Sequence, residues 1–322
     1  MFNYILFSAK GEPVKPQDVT EHPGEHAIFI IFGLTDYTRT RGPVRELLGA
    51  LPALVRSLKN RCPDCGISCV MGFGAQAWAG LFPEQPVPRE LHEFQEIKGE
   101  KHTAVATPGD LFFHLRAKKM DAIIELASYI SSDLGDSVRV IDETHGFRYQ
   151  DSRAIIGFVD GTENPADEAL EFAAIGREDP DFTGGSYAMT QKYLHDMEAW
   201  QKLPVEEQEK VIGRRKFTDR ELTDEEKPGN AHNAVTNIKG PEGRELKIVR
   251  ANIAFASPAK GEYGTYFIGY AGTFSTTRKM LENMFIGDPP GNSDRLLEYS
   301  RAVSGALFFI PSARLLENLA GD

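Results

Sequence analysis

The chain has 322 residues, 41% hydrophobic and 26% charged, with a formal net charge of −11 and a pI near 5.3. These are the proportions of a globular protein with ample core, and an acidic surface that repels phosphate backbones makes nucleic acid a poor candidate partner, so none is expected; the one short basic run, GRRK at 213–216, is closely followed by acids. No stretch approaches the roughly 20 apolar residues of a membrane span, and MFNYILFSAKGEP at the start lacks the basic and apolar regions of a signal peptide, so no membrane partner and a cytoplasmic location are expected.

At roughly 150 residues per domain, the length suggests two domains or one large one. HAIFIIFGL (26–34) is apolar and β-branched, hence a strand. From Val44 to Leu58, apolar residues recur at helical spacing, with Pro52 expected to kink or split the run. All three cysteines follow in CPDCGISC: Cys62, Cys65 and Cys69. Cys-x-x-Cys is a metal or redox spacing. A closed zinc or iron–sulfur site needs four ligands, however, and the chain has no fourth cysteine. Reduced thiols and no metal are expected there. ISCVMGFG (67–74) and DLFFHL (110–115) are further strands, Met120, Ile123, Ile124, Ala127 and Ile130 mark a helix, and SVRVIDET (137–144) alternates as a strand. The order is β-α-β-β-α-β, the ferredoxin-like pattern.

The second half repeats that rhythm more loosely. GGSYAMTQKYLHD reads as a strand running into a helix with Tyr193, Leu194, Met197 and Trp200 inward. ELKIVRANIAF (245–255) and GTYFIGYAG are strands, Met280, Leu281, Met284 and Phe285 mark a helix, and ALFFIPS (306–312) closes the set. GDLFFHLRAKKMDAIIEL and GTYFIGYAGTFSTTRKMLENMF each run from a glycine through an aromatic strand into a helix, which suggests duplication. The predicted fold is α+β, two tandem ferredoxin-like domains with antiparallel sheets, divided as 1–148 and 149–322. The charged segment 213–237 between elements reads as a solvated loop that ends in small residues around His232.

Three polar features of the second half could carry chemistry. GFVDGTENP (157–165) holds Asp160 between glycines; His232 follows PGNA; Arg250 and Asn252 lie two apart on an expected strand, so both side chains share a face. Each alone has a plainer reading: a turn, a structural histidine, a surface arginine. Spacing by itself reaches only an α+β protein with an acid/base site.

GFVDGTENP resembles the Gly-x-x-Asp-Gly signature of the dye-decolourising peroxidases. GFGAQAWAGLFP, GTYFIGYAG, MLENMFIGDPPGNSDRLLEYS and GALFFIPS are also similar to stretches of that family, as is the spacing from His232 to Arg250 and Asn252. The resemblance covers nearly the whole chain and is to the compact bacterial intracellular type. It implies a haem b peroxidase, one haem per chain, bound in the C-terminal domain. His232 would be the proximal iron ligand and Asp294 the carboxylate on its other ring nitrogen. Asp160 and Arg250 would stand where peroxide binds, with Asn252 near them, and Gly161, Thr162, Glu163 and Asn164 would line the haem. Gly157 and Gly161 would let the backbone approach the macrocycle. Hydrogen peroxide and one-electron donors such as phenols and dyes would be the substrates, and Trp78, Trp200 or a tyrosine could relay electrons. A homo-oligomer, dimer or larger, is implied.

With Asp160 as proton shuttle, reaction with peroxide should stay fast at mildly acidic pH, where a distal histidine would lose its base form below about 6.5. Two rivals stand beside this reading. One is a haem-binding or haem-handling protein with incidental peroxidase activity, which needs His232 but not Asp160 or Arg250. The other is a haem-free ferredoxin-like module that senses a small ligand; a visible spectrum separates it from both others.

Overall fold

The computed structural model describes residues 6–7, 11–21, 24–161, 164–165 and 168–321. Strand β1 (His26–Leu34) is apolar on both faces because both are covered: Ile28, Ile30 and Phe32 join one core cluster and Ala27, Phe29 and Ile31 another. Asp36 then caps helix α1 (Tyr37–Arg61), its carboxylate accepting from the N–H groups of Thr38 and Arg39 at 2.9 and 3.1 Å. Of the two outcomes expected at Pro52, a kink or a split, the split does not occur. Pro43 and Pro52 both lie inside α1, and the buried stripe Val44, Leu47, Leu48, Leu51 and Leu58 holds the helix together despite two missing N–H donors.

Strands β2 (Ser68–Phe73), β3 (Leu111–Ala117) and β4 (Val138–Phe147) and helix α2 (Met120–Leu134) complete the first unit. Its antiparallel order is β4-β1-β3-β2. The second unit has strands β5 (Ser186–His195), β6 (Ile253–Ser257), β7 (Glu262–Ala271) and β8 (Ala306–Ile310). Its helices include α3 (Val205–Ile212), α4 (His232–Thr236) and α5 (Phe274–Phe285). Its order is β8-β5-β7-β6. In both units the spatial order is fourth, first, third, second. The chain is therefore an α+β protein of two ferredoxin-like units, and the two self-similar segments occupy equivalent places, β3–α2 and β7–α5.

The units meet edge to edge. The join of β4 to β6 is the pair Phe147–Ala254, and that of β2 to β8 is the pair Phe73–Phe309. Among the described residues these joins close eight strands into a barrel. Its interior is largely apolar and aromatic: Phe29 stacks between His114 and Tyr266, at ring-centroid distances of 4.4 and 3.9 Å.

Three local readings need correction. The segment 245–255 is not one strand: Glu245–Leu246, Val249–Arg250 and β6 are separate pieces. The ladder is interrupted because the N–H of Ile268 bonds the side-chain oxygen of Asn252 at 3.3 Å. Tyr193 and Leu194 lie on β5, not on a helix, held there by pairing with Thr265 and Gly264; the helix begins at Met197, where Asp196 caps Ala199 at 2.9 Å. Finally, Cys62 and Cys65 form a disulfide rather than two free thiols. Cys62 ends α1, and the tight turn Pro63–Cys65 folds the second sulfur back onto the first. Cys69 is free.

Candidate active site

Alternation on β5 and β7 turns Gln191, Tyr193, His195, Thr265 and Phe267 away from the barrel and into the wall of a cavity of about 220 Å³. The crossover from β5 to β6, residues 196–252, covers that face. Within it α3 ends at Gly213, with φ of +91°, and a Cβ there would fall 1.8 Å from Asn233 Oδ1. Only glycine lets the chain turn so tightly against α4. The charged run that follows is tied down rather than simply solvated. Arg214 bonds Asp219 at 3.0 Å, Arg215 bonds Glu209 at 2.9 Å and also pairs with Glu226, and Lys227 bonds Glu221 at 2.6 Å. Partly exposed pairs contribute little stability one by one; as a network they fix where the segment ends.

It ends at His232, the first residue of α4, behind the buried Ala231. Nδ1–H of His232 donates to Asp294 Oδ2 at 2.7 Å. Asp294 has no exposed surface, and its other oxygen accepts from Leu296 N–H at 2.8 Å. Both carboxylate oxygens are thus engaged, and the bond fixes which ring nitrogen of His232 is left over. That nitrogen, Nε2, has no partner among the described residues, and His232 lines the cavity.

A second cluster lines the same cavity. Arg153 anchors its loop, donating from Nη1 to the carbonyls of Gly157 at 3.0 Å and Lys216 at 2.6 Å. Asp160 N–H bonds Ser152 O at 3.0 Å, and Asn252 Nδ2 donates to Asp160 Oδ1 at 3.3 Å. Asn164 clamps the backbone of Arg250 in both directions, accepting its N–H at 2.9 Å and donating to its carbonyl at 2.7 Å. The Arg250 guanidinium has no carboxylate partner among the described residues and lines the cavity with Asp160, Gly161 and Asn252. Asn164 stands behind them, in an adjoining cavity of about 180 Å³ that also touches Asp160 and Arg250. Thr162 and Glu163 lie outside the described residues. The two glycines of the loop divide the task assigned to them. Both have positive φ, but a Cβ on Gly157 would meet Lys216 Cε at 2.8 Å, so Gly157 makes room for a lysine and not for a ligand in this cavity.

Residue-by-residue reading missed the β5 wall. Its signal was the period of two in Gln191, Tyr193 and His195, hidden by the expectation of a helix there. Tyr193 O–H donates to Gln191 Oε1 at 2.8 Å. His195 places its ring nitrogens against Ser300 Oγ at 2.7 Å and Thr265 Oγ1 at 2.9 Å, and burial pushes its pKa down to about 4. It is therefore neutral at neutral pH.

The donor set fits a haem. One imidazole offers a single free nitrogen, a buried carboxylate holds the other, and Ile248, Phe267, Met280, Leu281 and Met284 supply apolar walls for a flat ring. Paired ferredoxin-like units with an aspartate-backed histidine and an acid–arginine cluster on one cavity define a haem-peroxidase type of site. The chain belongs to the Dyp-type peroxidase family: the model of its N-terminal part matches residues 16–148 and that of its C-terminal part residues 151–315. A dye-decolorizing peroxidase of Mycolicibacterium paratuberculosis is 49% identical over 95% of this chain and 86% of its own length. The crystal structure of a dye-decolorizing peroxidase from Bacteroides thetaiotaomicron superposes with a TM-score of 0.92 at 61% identity, covering 95% of this chain and 99% of that one. A variant of DypB from Rhodococcus jostii RHA1, solved in complex with heme, superposes at 0.91 with 46% identity, covering 94% and 98%.

Proposed function

We propose that this member of the family is a haem b peroxidase that reduces hydrogen peroxide and oxidises one-electron donors, with His232 as iron ligand and Asp160 and Arg250 as the groups that act on peroxide. The observation that carries this is the convergence on one cavity of an aspartate-fixed imidazole and a carboxylate–arginine cluster. Haem, when bound, supplies the iron that receives peroxide and the oxidising equivalents drawn from it. The chain's own residues handle protons and charge. Asp160 is held by Asn252 at one oxygen; its other oxygen, without a partner among the described residues, would take a proton from one peroxide oxygen and deliver it to the second. Arg250, its backbone clamped by Asn164, presents an unneutralised guanidinium to the negative charge that develops on the departing oxygen. Asn252 positions Asp160. Asp294 holds His232 in one tautomer and strengthens it as a ligand.

The alternative of haem handling asks nothing of Asp160, Asn252 and Arg250, and the Asn252–Asp160 bond together with the placing of all three on one cavity favours the peroxidase. The test is stopped-flow mixing of the haem-loaded ferric protein with peroxide across pH. Asp160→Asn and Arg250→Leu should each slow the reaction by roughly 10²–10⁴-fold, and the wild-type rate should persist at mildly acidic pH. If both variants react as fast as wild type, the residues lose their roles. Three expectations travel with this proposal: a division into domains near residues 148–149, supported by the two family matches; a homo-oligomer, to be tested by light scattering; and a cytoplasmic location, to be tested by fractionation. Among the described residues no helix is long and apolar enough to cross a membrane.

A further inference from the structure

Beside the haem cavity lies a second pocket, of about 440 Å³, that takes no part in the proposed peroxide chemistry. Its floor is Trp200, 1% exposed, whose indole N–H is fixed on Ile156 O at 2.9 Å. Its rim carries Phe217, 77% exposed, the most exposed large hydrophobic side chain among the described residues. Two cations, Arg153 and Lys216, line it, and no carboxylate does. In a chain of net charge −11 that is an unusual local balance.

The two cations differ. Arg153 is neutralised by Asp151, at 2.8 Å. Lys216 has no ion pair among the described residues. Its Nζ meets only the neutral amide oxygen of Gln208 at 2.6 Å and lies 5.7 Å from the centroid of the Phe158 ring. Gln208 is held in this orientation, because its amide nitrogen, Nε2, donates to the carbonyls of Trp200 at 2.9 Å and Leu203 at 3.2 Å. Glu209 is close but occupied, bonding Lys216 N–H at 2.9 Å with one oxygen and Arg215 with the other. Burial, and after it the Arg153 charge, lower the pKa of Lys216, and the nearby Glu209 carboxylate offsets only part of this. A half-buried ammonium without an anion is poised to bind one.

We propose that this pocket binds a small aromatic anion, its ring against Trp200 and Phe217 and its negative group on Lys216, and that a phenolic ligand held there is an electron donor to the enzyme. The donor role rests on the peroxidase reading; the binding does not. Ile156 lines both this pocket and the haem cavity, and Phe158, which lines the haem cavity, meets Trp200 edge-on at 6.1 Å between centroids. One layer of side chains separates the two spaces. Two phenols, each giving up one electron and one proton, reduce one hydrogen peroxide to two waters, so the step balances with the substrate of the established family activity.

The experiment compares 4-hydroxybenzoate with its neutral counterpart 4-hydroxybenzamide on the haem-loaded protein, with cyanide on the iron to block the haem cavity. Calorimetry should show the acid binding at least about tenfold more tightly than the amide, and Lys216→Met should remove that difference. Phe217→Ala, a change at an exposed site that leaves folding intact, should weaken both. In steady state Lys216→Met should raise KM for the acid while the stopped-flow rate with peroxide alone stays at the wild-type value. Equal binding of acid and amide, or an affinity for the acid unchanged in Lys216→Met, overturns the proposal. Failure of the peroxidase reading would look different: wild-type protein that does not react with peroxide at all, whatever binds in this pocket.

Discussion

Asp294 has two oxygens and spends both, one on His232 Nδ1–H and one on the N–H of Leu296. Asparagine offers one acceptor and cannot serve both donors. Asp294→Asn therefore strands either the imidazole or the backbone N–H, and it removes the negative charge that, in the proposed role, would strengthen His232 as a ligand. Haem affinity should fall by roughly 10–100-fold, read by titrating the protein with haem and following the Soret band. His232→Ala should abolish tight binding or change the iron spectrum outright. A Soret band and haem affinity identical to wild type in both variants would remove the pair from this role. At this scale much was legible: Asp160, His232, Arg250 and Asn252 were named from the chain and share one cavity. Tyr193 and His195 were not, because a side chain's face depends on whether its segment is strand or helix, and TQKYLHD fits either period.

At the scale of elements, β5 owes its character to its neighbours. It pairs with β7, with β8 and with the short strand Ser300–Ala302, and that pairing overrides a sequence able to form a helix. It also sets His195 between two hydroxyls in a wall that disfavours charge. The folded pKa, about 4, lies below the unfolded value near 6.5. The unfolded chain therefore binds the proton first. The contribution of the neutral histidine to stability is complete above about pH 6.5 and is lost as pH falls towards 4. With allowance for partial contact with solvent it amounts to ~1–3 kcal/mol. Urea unfolding from pH 7.5 to 4 should show this loss in wild type, and His195→Gln should flatten the curve over that window. Parallel curves for the two proteins would show that His195 does not titrate as described.

At the scale of the molecule, the barrel depends on two narrow joins, and each has a glycine beside it. A Cβ on Gly72 would meet Ile310 Cδ1 at 2.4 Å; one on Gly146 would meet Ile253 Cγ2 at 2.2 Å. The isoleucine of one unit fills the space left by the glycine of the other, at both joins. Gly146→Ala and Gly72→Ala should each destabilise by overpacking, roughly 1–3 kcal/mol. Gly146→Ala should be the worse, since Cγ2 sits on a branched carbon whereas Cδ1 is a mobile end. Differential scanning calorimetry of the haem-loaded variants gives the order; a Gly146→Ala protein as stable as wild type would mean the joins are slack.

The sequence by itself determined the two units, their β-α-β-β-α-β rhythm and the residue types at the site. Those properties are local: apolar period, turn residues and the glycines around Asp160 act over a few positions, whatever the rest of the chain does. Tertiary structure alone decided that the two sheets close into a barrel, since Phe147–Ala254 and Phe73–Phe309 join residues far apart in the chain. It alone carried α1 through Pro52, broke the strand at Asn252 and bonded Cys62 to Cys65. It alone left Lys216 without an ion-pair partner among the described residues, because a charge's partners are set by which loops fold back upon it. Hydrophobic pattern is written along the chain; edge pairing, burial and the neutralisation of charge exist only between segments that the fold brings together.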